Sequence, residues 1–284
     1  MPFKLILQLS VRNLFRYPRR NGLLLTAIAF ALAGATLTNS LMRGWQYDML
    51  DRAVENLVGH VKVQASEYRD DPNMAHSFVL PANYEPEISG MEVAGWAPRI
   101  KVPAVILSER QSRGVQLVGI DPARENISFF SELAFAGETL ADKDDGRIVI
   151  GAELARQLQT AVGRKLVVLS QGADGKNRER GFRIAGTFDA DGTSLEKAFA
   201  FTGLTSTQAF LGDRSSDSPR PLVTEVSVLL ADELRRNDAV TELRTAFPDK
   251  DVADWRALQP QVAEMFAMAD VAIYIIFGLM MGGL

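Results

Sequence analysis

The sequence predicts a membrane protein: one transmembrane helix, an α+β extracytoplasmic domain, and the start of a second transmembrane helix. Three observations predict it. Gly22 to Met42 runs 21 positions without a charged residue, the middle of the chain alternates short strand-like and helix-like runs, and Val271 to Leu284 is again uncharged over 14 positions.

Residues 1–20 read as a cytoplasmic amphipathic basic helix on the inner membrane surface. Lys4, Gln8, Arg12 and Arg16 recur every fourth residue as a polar stripe, Phe3, Ile6, Leu7, Leu9, Val11 and Leu14 cover the rest, and Pro18 ends the helix before the span. With Arg19 and Arg20 this segment carries five bases and no acid. By the positive-inside rule the N-terminus then stays in the cytoplasm, where the basic segment can bind anionic lipid headgroups or touch a cytoplasmic partner protein.

Residues 21–42 form transmembrane helix 1. At about 1.5 Å per residue the uncharged run from Gly22 to Met42 reaches roughly 31 Å, the thickness of a bilayer's hydrocarbon core. A signal peptide has a shorter apolar core and a small-x-small cleavage site, which Asn39-Ser40-Leu41-Met42-Arg43 does not supply. Ala27, Ala31 and Ala35 recur every fourth residue beside Gly34 and Thr38, a stripe of small residues of the kind that lets a second helix approach closely.

Beyond Arg43 the helical period continues as a stalk over 43–59. Met42, Trp45, Met49, Ala53 and Leu57 hold one face, Asp48, Asp51, Arg52 and Glu55 another, and Gly59 ends it. Residues 60–253 read as the extracytoplasmic α+β domain. Strand-like runs are His60 to Ala65, Glu92 to Trp96, Val102 to Glu109, Val115 to Ile120, Arg147 to Ile150, Lys165 to Ser170, Gly181 to Phe188, Ala198 to Thr202 and Glu225 to Leu230. Helix-like runs are Ala152 to Gln159, Ser206 to Leu211 and Asp232 to Ala246, while Asp174-Gly175 signals a hairpin and Asp213 to Pro221 a loop. Asp254 caps a second stalk helix over 254–268, bent at Pro260. Residues 269–284 begin transmembrane helix 2; the last 14 uncharged residues span only about 21 Å, so the chain reads as a fragment of a longer membrane protein.

All 35 acids lie after residue 42 together with 31 − 5 = 26 bases, so the outer part carries 26 − 35 = −9. That balance argues against a nucleic-acid partner. The lack of cysteine excludes disulfides and thiolate metal sites.

The chemical motifs are weak. Ser194-x-x-Lys197 with Ser216-Asp217-Ser218 lacks the Lys-Thr-Gly of penicillin-binding enzymes. Gly172 to Asn177 is too short for a phosphate loop, and Asp189-x-Asp191-Gly192 lacks the distal Glu of a calcium loop. His60 and His76 are not spaced as metal ligands and read as hydrogen-bonded strand or loop histidines, Asp142, Asp144 and Asp145 read as a solvated loop cluster, and Trp96 and Trp255 read as core residues. No catalytic, cofactor-binding or metal-binding residue is assigned, and the chain is not read as an enzyme.

Several segments in order carry a family resemblance: Arg12-Asn13-Leu14-Phe15-Arg16, Pro18-Arg19-Arg20, Gly59-His60-Val61-Lys62-Val63-Gln64, Tyr68-Arg69-Asp70-Asp71-Pro72, Gly114 to Pro122 (GVQLVGIDP) and Ile148 to Ala155 (IVIGAELA). The sequence resembles permeases of the MacB/FtsX-like ABC transporter family over essentially its whole length. The resemblance implies a MacB-type periplasmic core domain between the first and second of four membrane helices, in a bacterial inner membrane. It also implies a second permease copy or paralogue and a separate ABC ATPase subunit, which would hold the ATP and magnesium; no cofactor is expected in this chain. Such permeases act as mechanotransmitters, and the GHVKVQ segment is similar to the lipoprotein-sorting, LolC/LolE-like branch, with a lipoprotein or a periplasmic adaptor as further partner. A candidate cargo cradle is then Met42, Trp45, Met49, Phe266, Met268 and Tyr274, large and adaptable side chains for which ordinary interhelical packing is the alternative. A two-span membrane sensor with a periplasmic ligand-binding domain has the same topology, and continuation into a signalling domain rather than two more spans distinguishes it. A membrane-tethered enzyme is the third class.

Overall fold

The computed structural model describes residues 17–282 apart from 56, 82 and 213–219, without side-chain detail at 45–55, 269, 270, 272–274, 276, 277 and 279–282. The expected surface helix, with Lys4, Arg12 and Arg16, therefore lies outside the described residues, as does the Ser216-Asp217-Ser218 loop. Two compact units result, residues up to Asp51 together with those from Gln261, and Arg52–Pro260.

The first unit holds two helices. α1 runs unbroken through Pro18–Glu55, so the apolar span and the stalk are one helix of 38 residues. Its start suits Pro18, whose missing N–H costs nothing at the first helical position; Arg20 then lies over the Tyr17 ring at 5.1 Å. Pro18–Gly44 is long and apolar enough to cross a membrane. Within it the hydroxyls of Thr26, Thr36 and Thr38 donate to the carbonyls of Gly22, Leu32 and Gly34 at 2.8–2.9 Å, so these polar groups are satisfied inside the helix. α7, Pro260–Gly282, is the second helix and carries two acids, Glu264 and Asp270, and no base. The bend expected at Pro260 is a break: the short α6, Trp255–Leu258, ends first, and Pro260 opens α7 where a proline fits.

The second unit is organised by one long strand. β3, Val93–Leu107, was expected as two strands because Pro98, Arg99 and Pro103 interrupt the apolar alternation. The structure keeps it whole because its neighbours change along one edge. β11 (Glu225–Leu230) pairs it up to Arg99 and β7 (Lys165–Gln171) pairs it from Ala104. Pro103 falls in the gap, where no ladder bond is lost.

On the first side of this gap lies an open sheet in the order β12 (Lys250–Asp254), β1 (Val61–Ala65), β11, β3, backed by α5 (Arg236–Ala246). Asp232 caps a 3₁₀ turn, Glu233–Arg235, rather than the α-helix itself. On the far side β3 pairs with β4 (Ser112–Ile120), followed by β9 (Phe199–Gly203), β6 (Ile148–Gly151), β8 (Asn177–Asp189) and β7, which returns to β3. These strands close into a barrel, with β5 (Ala134–Gly137) appended to β8. Two short helices, α2 (Ala152–Gln157) and α3 (Leu195–Ala198), connect its strands, and a third, α4 (Leu204–Leu211), follows β9. A separate two-stranded pair joins β2 (Phe78–Val79) to β10 (Leu222–Val223).

Alternation decides the packing. Leu117, Ile148, Ile150, Ile184 and Ala200 join the main core, while their neighbours Val118, Val149, Ala185 and Phe201 join a second core with Phe130, Phe188 and Leu57. Strands covered on both faces explain the continuous apolar run IVI at Ile148 to Ile150. The hairpin expected at Asp174-Gly175 joins β7 to β8, with Gly175 at φ +73°. Asp145 corrects the solvated-cluster expectation: it bonds Arg147 at 2.8 Å, and hydrogen bonds from Arg147 hold its carboxyl down to about 2 despite partial burial.

Candidate functional site

Two strands of the open sheet, one following α1 in the chain and one preceding α6, frame the candidate site within the second unit. β1 pairs antiparallel with β12, Val61 opposite Asp254, so the segment following α1 and the segment preceding α6 and α7 are adjacent hydrogen-bonded strands. The Trp255 N–H donates to the His60 carbonyl at 3.2 Å and extends the ladder by one bond.

The incoming side starts with a strained turn. Leu57 has φ +64° and Gly59 φ +69°. A left-handed leucine is costly and persists where its surroundings over-determine it. Those surroundings are visible: the Leu57 side chain is fully buried in the second core, beside Phe130 and Phe201. Its carbonyl accepts from Arg99 Nη1 at 2.9 Å and from Ser227 Oγ at 3.3 Å. The His60 N–H then donates to Val228 O at 2.9 Å.

Arg99, 0% exposed on β3, is the hub. Its Nε and Nη2 grip both oxygens of Glu125 at 2.7 and 2.8 Å, and Nη1 also reaches Ser227 Oγ at 2.9 Å. Glu125 sits in the 3₁₀ turn after β4 and takes a further bond of 2.6 Å from Ser128. One guanidinium thus ties the end of α1's connection, the open sheet and the barrel lobe together. Burial works against its charge, yet Glu125 and Glu225 hold it above its ordinary value. Next to it Lys62 bonds Glu225 at 2.9 Å. Burial pushes the Lys62 ammonium down to about 8 against the pull of Glu225. Burial alone raises the Glu225 carboxyl, but Lys62, Lys101 and Arg99 overcome that and keep it below the usual range.

The outgoing side has its own arginine. Arg236 bonds Asp254 and Glu233 at 2.8 Å each, and Trp255, 1% exposed, donates its indole N–H to Glu233 at 3.2 Å. Asp254 accepts from the Ala257 N–H at 3.0 Å, the cap expected for that helix.

None of Arg99, Glu125, Lys62, Glu225 or Arg236 was singled out from the sequence. The available signal was a charge in an otherwise apolar strand, as in Pro98-Arg99-Ile100 and Thr224-Glu225-Val226. The residues that were singled out lie elsewhere. On α1, Ala27, Ala31, Gly34 and Thr38 are exposed and Ala35 is half-buried; a Cβ built on Gly34 meets nothing within 4 Å. Arg19 and Arg20 are exposed at the start of α1. Of the cradle residues, Met42 and Phe266 are half-buried and Met268 is exposed, while the side chains of Trp45, Met49 and Tyr274 are outside the described set. Trp96 is half-buried, edge-on to Tyr84 at 5.4 Å and under Arg124 at 4.1 Å. His60 accepts the Leu230 N–H at 3.1 Å, as a strand histidine should. Asp191 and Gly192, at φ +54° and +72°, form a tight turn in which the Ala190 and Gly192 N–H groups donate to Glu196 Oε1 and the Asp191 N–H donates to Asp189 Oδ1.

Residues 22–246 match the family described as the MacB-like periplasmic core domain. The chain therefore belongs to the ABC transporter permeases that carry this domain. No curated protein matches. Among solved structures, the extracellular domain of the noncanonic ABC-type transporter YknZ from Gram-positive bacteria is similar at 14% identity and a TM-score of 0.46, over 68% of this chain and 98% of that one. A domain assigned to a permease protein from Porphyromonas gingivalis is similar at 19% identity and a TM-score of 0.36, over 66% of this chain and 83% of that one.

Proposed function

We propose that this chain is the membrane subunit of a mechanotransmitting ABC transporter, in which a partner ATPase moves the large domain through α1 and α7. The observation that carries the reading is the pairing of β1 with β12. Both helical connections end on adjacent strands, and each end is fastened by a buried arginine network. A displacement of one helix relative to the other then acts as shear between two strands of one sheet instead of dissipating in a loop. Leu57 and Arg99 pass it on to the barrel lobe, since side chain and carbonyl are held by different elements.

In this reading the N-terminus and the ATPase are cytoplasmic, the large domain is periplasmic, and the permease works beside a second copy or a paralogue. The exposed stripe of Ala27, Ala31, Gly34 and Thr38 is where another membrane helix would seat. The cargo is a lipoprotein or lipid, in keeping with the resemblance of the GHVKVQ segment, and Met42, Phe266 and Met268 belong to its cradle.

The test is to purify the full-length protein from membranes with whatever associates and to assay ATP hydrolysis. A co-eluting ATPase whose turnover falls when Ala31 and Ala35 are both replaced by leucine supports the reading. The absence of any associated ATPase refutes it.

A further inference from the structure

We propose that the large domain carries a cleft for a phosphate-bearing ligand at the seam between its open sheet and its barrel, with Lys101 as the principal contact. The inference goes beyond the transport reading and does not depend on it.

The seam follows from the strand order. Between Arg99, the last residue of β3 paired to β11, and Ala104, the first paired to β7, that edge of β3 has no strand neighbour. Side chains patch the gap. The Lys101 N–H donates to Thr224 Oγ1 at 2.9 Å, and Tyr68 donates its hydroxyl to the Lys101 carbonyl. Outside this patch lies a cleft of ≈ 530 Å³.

Three cations line the cleft, Lys62, Arg69 and Lys101, and one carboxylate, Glu225. Lys62 is committed to Glu225 at 2.9 Å, and Arg69 to Asp251 at 2.7 Å. Behind them Arg99 is committed to Glu125. Among the described residues Lys101 has no carboxylate within 4.0 Å; its ammonium lies over the Phe199 ring at 5.5 Å. The half-buried network therefore holds one positive charge more than its carboxylates balance. That excess also helps depress Lys62, for which Lys101 and Arg99 are secondary causes after burial.

An anion seated against Lys101 would neutralise the excess through charge-assisted hydrogen bonds. Gln116 adds an amide donor to the lining, while the Gln64 amide already donates to Asp251 at 2.8 Å. The cleft is larger than one phosphate needs, and Leu195, Ala198 and Phe199 give it an apolar wall for a carbon-bearing remainder. The shared chemistry is a phosphate ester, supplied by a lipid headgroup or by a soluble molecule.

The test uses the full chain in dodecyl maltoside micelles, which carry no phosphate, with thermal unfolding of the large domain read as chloride is exchanged for inorganic phosphate at constant ionic strength. The expected result is a saturable rise in midpoint that Lys101→Gln weakens about tenfold or more and that Lys165→Gln, on the exposed face of β7, leaves unchanged. Should Lys101→Gln not fold, Arg69→Gln must weaken the response, and Gln116→Glu, which sets a carboxylate in the cleft, must abolish it. Glycerol phosphate competing with phosphate identifies a soluble ester. A midpoint raised by phosphatidylglycerol added to the micelles without inorganic phosphate, and lost in Lys101→Gln, identifies a headgroup. A rise that does not saturate, or one equal in the Lys101 variant, overturns the proposal as a general salt effect.

Discussion

Arg99 turns an unfavourable burial into specificity. A guanidinium with no exposure is stable only with its partners complete, and removing one side of such a pair costs about 3–5 kcal/mol because the other charge is left buried. Arg99→Met should therefore destabilise the domain by about that amount, and adding Glu125→Leu should recover part of the loss; urea unfolding followed by tryptophan fluorescence measures both. Lys62 makes a pH prediction. Its folded value near 8 lies below its ordinary 10.5, so between those values the unfolded chain binds more protons and stability rises with pH. A stability profile from pH 7 to 10, below the range where the raised Tyr68 and Tyr84 hydroxyls act in the opposite direction, should show that rise, and Lys62→Met should remove it; a wild-type profile that falls across the window contradicts the assignment. These side chains were not legible in the sequence. Lys62, Arg99 and Glu225 look like the solvent-facing members of alternating strands, and only the second layer of structure over β1 and β11 buries them.

The elements were more legible than their partners. Glu225 to Leu230 was expected as a strand and is β11, because Val226, Val228 and Leu230 recur at every second position. β12 was missed, since Lys250, Asp251 and Asp254 leave too few apolar positions in Lys250–Asp254 to show a period. β2 and β10 are two residues each and β5 four, lengths at which no periodicity exists. β3 was divided in two because a proline argues against a strand, and the edge gap that makes Pro103 harmless is a tertiary fact. The stalk's continuity with the span was visible from the period alone. At the end of that helical connection Gly59 has φ +69°, and a Cβ there would sit 2.9 Å from the Val228 carbonyl. Gly59→Ala should cost about 1–3 kcal/mol and speed hydrogen exchange at the His60 amide. Gly34→Ala, with open space around it, should change the stability of the chain alone by less than about 0.5 kcal/mol.

At the scale of the whole molecule, the large domain is a fold interrupted by its own connection to the helices, with the two polypeptide crossings placed on neighbouring strands. Family membership was readable from motif order along the chain, whereas the pairing of β1 with β12 and the hold of Arg99 on Leu57 emerge only when β1, β12 and β3 are assembled. If the junction transmits force, the large domain must move when nucleotide binds elsewhere. The chain has no cysteine, so Arg110→Cys, at an exposed turn between β3 and β4, accepts a single spin label. The decisive measurement is the label-to-label distance between the two permease copies proposed for the purified transporter, or to a label on the paralogue if one takes the second place, nucleotide-free and ATP-trapped. A distance distribution that shifts with nucleotide, and ceases to shift in Arg99→Met while ATP is still hydrolysed, is the predicted result. An unchanged distribution in a complex that turns over ATP would contradict transmission through this junction.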